Sequence, residues 1–201
     1  MENPTLIQIG RHGVGGVFIQ RDPNGQLSVL AHHYTKKDIT TLRLPSGTGR
    51  GHESVLATLH REMREEVAAQ SDDFEFRLVF SKPVYFELDR DDRTGKLTYL
   101  KAFFALEITR GRHRDVELID DEGTPEEELL GPLDWHDIGD LVPHLTLRTH
   151  QCAVVATFLL MARLDVAIRN QYQQTWDSWE RHTTAFQIEN PIVIAYITHG
   201  F

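Results

Sequence analysis

Two periodicities divide the chain. Short apolar runs in "TLIQIG" (5–10), "GVGGVFIQ" (13–20) and "LSVLAHH" (27–33) read as strands. Between 13–20 and 27–33, "RDPNGQ" (21–26) holds an Asn-Gly pair, which predicts a hairpin. The segment "LRLPSGTGRGHES" (42–54) then breaks regular structure with Pro45, Gly47, Gly49 and Gly51. From about residue 53 the period becomes 3.6. Leu56, Leu59, Met63 and Val67 fall at i, i+3, i+7 and i+11, one apolar stripe on a predicted helix. Strand signals resume in "FEFRLVFSKPVYFEL" (74–88) and "LTYLKAFFALEI" (97–108), a hairpin closed by the polar "DRDDRTGK" (89–96). After the acidic "DDEGTPEEE" (120–128), "LDWHDIGDLVPHL" (133–145) reads as a strand end and a short helix. Residues 149–182 read as helix and "NPIVIAYITHGF" (190–201) as a last strand.

This order predicts an α/β or α+β sandwich. Residues 1–148 form the expected core, and 149–201 an extension of helices and a terminal strand, packed on the core or at a dimer interface. Tyr172, Trp176 and Trp179 fall near helical spacing and read as packing. A tail strand left out of the monomer's sheet would offer an edge to a second copy, so a homodimer is the assembly this pattern suggests.

Composition narrows the function classes. The 201 residues are 40% hydrophobic and 25% charged, ordinary for a globular protein with a sizeable core. A formal charge of −9 argues against nucleic acid as a partner, since phosphate neutralisation needs a basic surface. The single Cys152 allows no internal disulfide and suits a reducing compartment. The N-terminus lacks signal-peptide character, and "CAVVATFLLMA" (152–162) is shorter than the roughly 20 residues that span a bilayer. A cytoplasmic protein without membrane attachment is the expectation.

The chemistry lies in the helix. Within "REMREEV" (61–67), Glu62, Glu65 and Glu66 stand at i, i+3 and i+4 and share a face, a quarter-turn or more from the apolar stripe. Like charges one turn apart repel. A hard divalent cation, which takes carboxylate and phosphate oxygens, would collect them; a solvated face, neutralised by Arg61 and Arg64, is the plainer alternative. The stretch upstream decides between these. "GTGRGHESVLATLHREMREEVAA" (47–69) resembles the Nudix box, with Gly47, Glu53, Arg61, Glu62, Met63, Glu65, Glu66 and Ala69 at the pattern's positions. Ala68 stands where the pattern has Gly, and Ser46 replaces the first Gly of an upstream Pro-Gly-Gly.

The resemblance implies an α/β/α sandwich with a mixed central sheet and a pyrophosphohydrolase using Mg²⁺ or Mn²⁺. Glu62, Glu65 and Glu66 would hold the metal, with a loop carbonyl near Gly47 completing the shell, and Glu53 and Arg61 would orient the site. Those two could pair only if the loop folds back on the helix. The general base is expected at Glu62, or in the acidic loop at Glu126, Glu127 or Glu128. The substrate implied is nucleotide-derived. Pro83 is similar to a feature of the ADP-ribose-cleaving branch, and Tyr85 to one of the dinucleoside-polyphosphate branch. A Nudix-fold module that senses a nucleotide without cleaving it is the alternative class; such modules lose box carboxylates, and all four remain here. The eleven histidines show no metal-ligand spacing. The arginines 110, 112 and 114 read as surface.

Overall fold

A computed structural model describes residues 11–36, 39–68, 73–90, 97–113 and 128–182. The strand expected at 5–10, the hairpin tip and the strand expected at 190–201 lie outside the described residues.

The first hairpin forms as its turn chemistry predicts. Strand β1 (Arg11–Arg21) returns as β2 (Leu27–Lys36). The Asp22 carboxylate accepts from the Asn24 and Gln26 N–H groups, and Gly25 takes the left-handed φ of 88° that closes the turn. β1 and β2 pair only over Ile19–Arg21 and Leu27–Val29 before they diverge. β2 then pairs with β3 (Ile39–Arg43) on one edge and β8 (Glu128–Asp137) on the other. From Arg11 to Phe18, β1 lies parallel to β7 (Leu97–Arg110), Val14 beside Ala102. β5 (Glu75–Leu78) and β6 (Tyr85–Arg90) both pair with β7 antiparallel, so the stretch expected as one long strand is two.

The segment expected to be irregular contains a short strand, β4 (Ser46–Thr48), antiparallel to Gly13–Gly15 of β1. Its sequence, Ser-Gly-Thr, carries no strand pattern; pairing with β1 supplies the order. The result is one mixed eight-stranded sheet.

β1 is buried on both faces from Gly13 to Ile19, as a central strand must be. Val14, Phe18, Leu30 and Phe104 meet helix α1 (Val55–Glu66) through Leu59, Met63 and Val67. On the opposite face Val17, Ile19, Val29 and Phe103 meet α3 (Arg148–Leu164). A short helix α2 (Ile138–Leu141) and a 3₁₀ turn lead into α3; α4 (Val166–Gln171) and α5 (Gln173–His182) follow. Phe158 of α3 packs edge-on against Tyr172 and Trp179, so the aromatic stripe is packing within the fold.

Candidate active site

Helix α1 begins at Ser54, whose hydroxyl accepts from the Ala57 N–H. Its buried face is not the one the sequence spacing suggests. Leu59, Met63 and Val67 are buried, but Leu56 is 48% exposed, and Thr58 and Glu62 are buried in its stead. The helix is rotated toward β4, where the sheet presents a glycine. A Cβ on Gly47 would collide with the Glu62 carboxylate, so glycine is what lets that side chain lie against the strand. Glu62 is therefore 8% exposed, inside the packed face and not at its rim.

The loop before α1 does fold back. Arg61 grips Glu53 with both arms of its guanidinium, Nε to Oε1 at 2.9 Å and Nη2 to Oε2 at 3.0 Å. The same Nη2 donates to the Thr48 carbonyl of β4, and Nη1 reaches Glu65 at 3.0 Å and Glu62 at 2.8 Å. A planar fork with five donors suits this convergence; an ammonium could not satisfy it. Glu53 further accepts the Arg50 N–H and the Thr58 hydroxyl. Having given its one proton to Glu53, Thr58 Oγ1 must accept from His12 Nε2, 2.8 Å away on β1. Glu66 accepts the Ser46 N–H at 2.7 Å. Box loop, helix and two strands are thus tied through one arginine and two carboxylates.

The electrostatics divide the glutamates by role. Arg61, then the Arg50 N–H, holds Glu53 down to about 2. Arg61 is driven up by the same contact. Glu62 is shifted the other way: burial raises it despite Arg61, and Glu66 and Glu65 add to the rise. A desolvated carboxylate beside two more is a group that gains from a cation. The donor set is chemically right for a hard divalent ion: Glu62, Glu65 and Glu66 on one helix face, with the box loop beside them. As the side chains stand, among the described residues no three carboxylate or imidazole groups converge closely enough to hold an ion; Glu62 and Glu65 face Arg61.

Other expected residues lie elsewhere. Tyr85, buried, packs at 6.2 Å from the Phe103 ring on the α3 face, across the sheet from α1. Pro83 sits half-buried between β5 and β6. Glu128 opens β8 opposite Lys36, and Glu126, Glu127 and Arg114 are outside the described residues. Arg110 pairs with Asp73 and Glu75 on the surface, as an ordinary exposed arginine does. Sequence reasoning missed Thr58 and His12; Thr58 and Glu62 share a helix face, but nothing in the spacing showed that face turned inward.

No protein-family model matches the chain, and no curated protein does. Solved structures do. A Nudix hydrolase from M. smegmatis, RenU, superposes with a TM-score of 0.54 at 12% identity, covering 79% of this chain and 89% of that one. A protein from Jonesia denitrificans, described as a possible asymmetric diadenosine tetraphosphate hydrolase, gives 0.52 at 15% identity, with 78% and 98% covered. The NUDIX domain of Shewanella oneidensis NrtR, crystallised with ADP ribose, gives 0.51 at 13% identity, with 82% and 94% covered. The fold is the Nudix fold. At these identities the likeness is one of architecture. Within that Nudix architecture, the box runs from β4 through α1; its Arg61 contacts both Glu53 and Glu62, and Glu62 lies against Gly47. Among the described residues no helix is long and apolar enough to cross a membrane.

Proposed function

We propose that the chain is a Mg²⁺- or Mn²⁺-dependent pyrophosphohydrolase acting on a nucleoside diphosphate linked to another moiety. The observation that carries this is the Arg61–Glu53 fork beside a buried Glu62 lodged against Gly47. A merely solvated acidic helix has no use for a desolvated carboxylate. A divalent cation bound by Glu62, Glu65 and Glu66 would neutralise charge on the pyrophosphate and acidify an attacking water. Arg61 and Glu53 hold the box loop against the helix, fixing where substrate phosphates can lie. Glu62, raised by burial, is the group suited to take the water's proton. ADP ribose and diadenosine tetraphosphate, named with two of the structural neighbours, represent the two substrate branches worth testing first.

One feature favours the sensor alternative: Arg61 engages Glu62 and Glu65 directly, an arrangement stable without chemistry. Phosphate release from ADP ribose, dinucleoside polyphosphates, nucleotide sugars and nucleoside triphosphates, with and without Mg²⁺, separates the two. Metal-dependent release lost in the Glu65→Gln, Glu66→Gln variant supports the enzyme. Equal inactivity of wild type and variant, with equal nucleotide binding, supports the sensor.

A cytoplasmic location is supported by the single, buried Cys152. The homodimer rests on the tail 190–201, outside the described residues, and light scattering tests it.

A further inference from the structure

The strand face covered by α1 holds one side chain out of keeping with its neighbours. Leu30 of β2 is fully buried there, and two residues on, in the same phase, His32 is 1% exposed. A buried imidazole needs a partner at each ring nitrogen. Nδ1 lies 3.5 Å from the Gly131 carbonyl oxygen, a contact that calls for a proton on Nδ1. In the neutral ring, Nε2 is then left with a lone pair. It is buried, has no hydrogen-bond partner, and lies 3.7 Å from Glu66 Oε2, the oxygen that takes the Ser46 N–H.

The strand behind the ring is built for this. Pairing of β2 with β8 slips at this point: His32 faces Leu133, whereas Tyr34 faces Leu130. Gly131 and Pro132 therefore share the place opposite His33. Pro132 has no N–H to give the ladder, and an extra residue of this kind re-aims the groups beside it. Here it brings a carbonyl oxygen to the back of the His32 ring.

We propose that His32 is a nitrogen ligand of the divalent cation at the Glu62, Glu65, Glu66 site, sharing it with Glu66, so that the site prefers Mn²⁺ to Mg²⁺. The inference rests on the metal-dependent reading above. In the neutral ring, a lone pair facing a carboxylate across 3.7 Å is repulsive, and a cation between the two would draw on both. Metal-binding histidines characteristically donate their other N–H to a backbone carbonyl, and Gly131 supplies one. Imidazole suits first-row transition ions, whereas Mg²⁺ demands oxygen. If His32 instead donated from Nε2 to Glu66, Nδ1 would oppose the Gly131 oxygen as a second acceptor.

The test uses the full chain, stripped with EDTA and reloaded with Mn²⁺. Free-ion EPR counts the bound Mn²⁺, and pulsed EPR (electron spin echo envelope modulation) reads nitrogen coupled to it. We expect bound Mn²⁺ with nitrogen modulation in wild type. In His32→Gln the modulation should be lost and Mn²⁺ affinity should fall at least about tenfold, with Mg²⁺ affinity less affected. Should His32→Gln fail to fold by circular dichroism, the modulation must survive in His12→Gln and His33→Gln. Bound Mn²⁺ without nitrogen modulation overturns the role of His32 and leaves the proposed function standing. Modulation that persists in His32→Gln, or vanishes in His12→Gln or His33→Gln, overturns it as well. No bound Mn²⁺ at all overturns both readings.

Discussion

Arg61 makes five contacts to four partners, and its replacement by Lys keeps the charge while removing the fork. Arg61→Lys should lower kcat/KM for the identified substrate about 10²-fold, because the box loop loses its register on α1. Steady-state kinetics checks this. Glu62→Gln should abolish turnover, yet leave the thermal midpoint in EDTA unchanged or higher, since the fold no longer buries that charge. Differential scanning fluorimetry, run beside the activity assay, reads both. The two carboxylates also act oppositely on stability. Glu53 is lowered in the fold from 4.5 to about 2, so its contribution is present above pH 4.5 and is lost as pH falls toward 2. Glu62 is raised, so what it contributes is present in acid and lost as pH rises through its folded value. Urea denaturation across pH should show Glu53→Gln flattening the acid limb and Glu62→Gln flattening the loss on the alkaline side of it. The box residues were legible in the sequence because their spacing is local and their charges fixed. Thr58 and His12 were not, since His12 arrives from a strand whose pairing no local pattern specifies.

Helix α1 shows how far periodicity reaches. Four apolar residues on one stripe predicted the helix, and the helix is there. The same stripe gave Leu56 and Leu59 equal standing, but the angle at which a helix sits is set by what it packs on. Gly47 opens a place for Glu62, the helix turns toward it, and Leu56 is left in solvent. Leu59→Ala should therefore cost about 2–5 kcal/mol, and Leu56→Ala no more than about 0.5 kcal/mol, both measured by urea denaturation. Strand β4 marks the opposite limit. Three residues with a central glycine carry no propensity, and only antiparallel contact with Gly13–Gly15 makes them a strand.

Across the whole molecule, the helices after residue 147 belong to the same core as the sheet: ten residues of α3 are buried, and Ile168 and Trp176 join them. Tyr172 stitches α4 and α5 to the first hairpin. Its hydroxyl accepts the Leu27 N–H at 2.7 Å and donates to Asp137 at 3.1 Å, and burial pushes its ionisation up to about 12. Tyr172→Phe should cost about 1–3 kcal/mol, because the Leu27 N–H is left without that acceptor. Chemical denaturation of the variant checks the figure.

The parallel union of β1 with β7 also sets an order of events in time. The contacting box residues Gly47, Glu53, Arg61 and Glu62 all precede residue 67, yet the strand that flanks β1 in the sheet is made much later, with Val14 beside Ala102 and Phe18 beside Leu106. Contacts so distant in sequence slow folding, since loop closure precedes any reward. During synthesis the box must therefore wait, unassembled, until Arg110 has left the ribosome. A nascent chain stalled before β7 should be cut readily by protease around Leu59, and one stalled after α3 should resist.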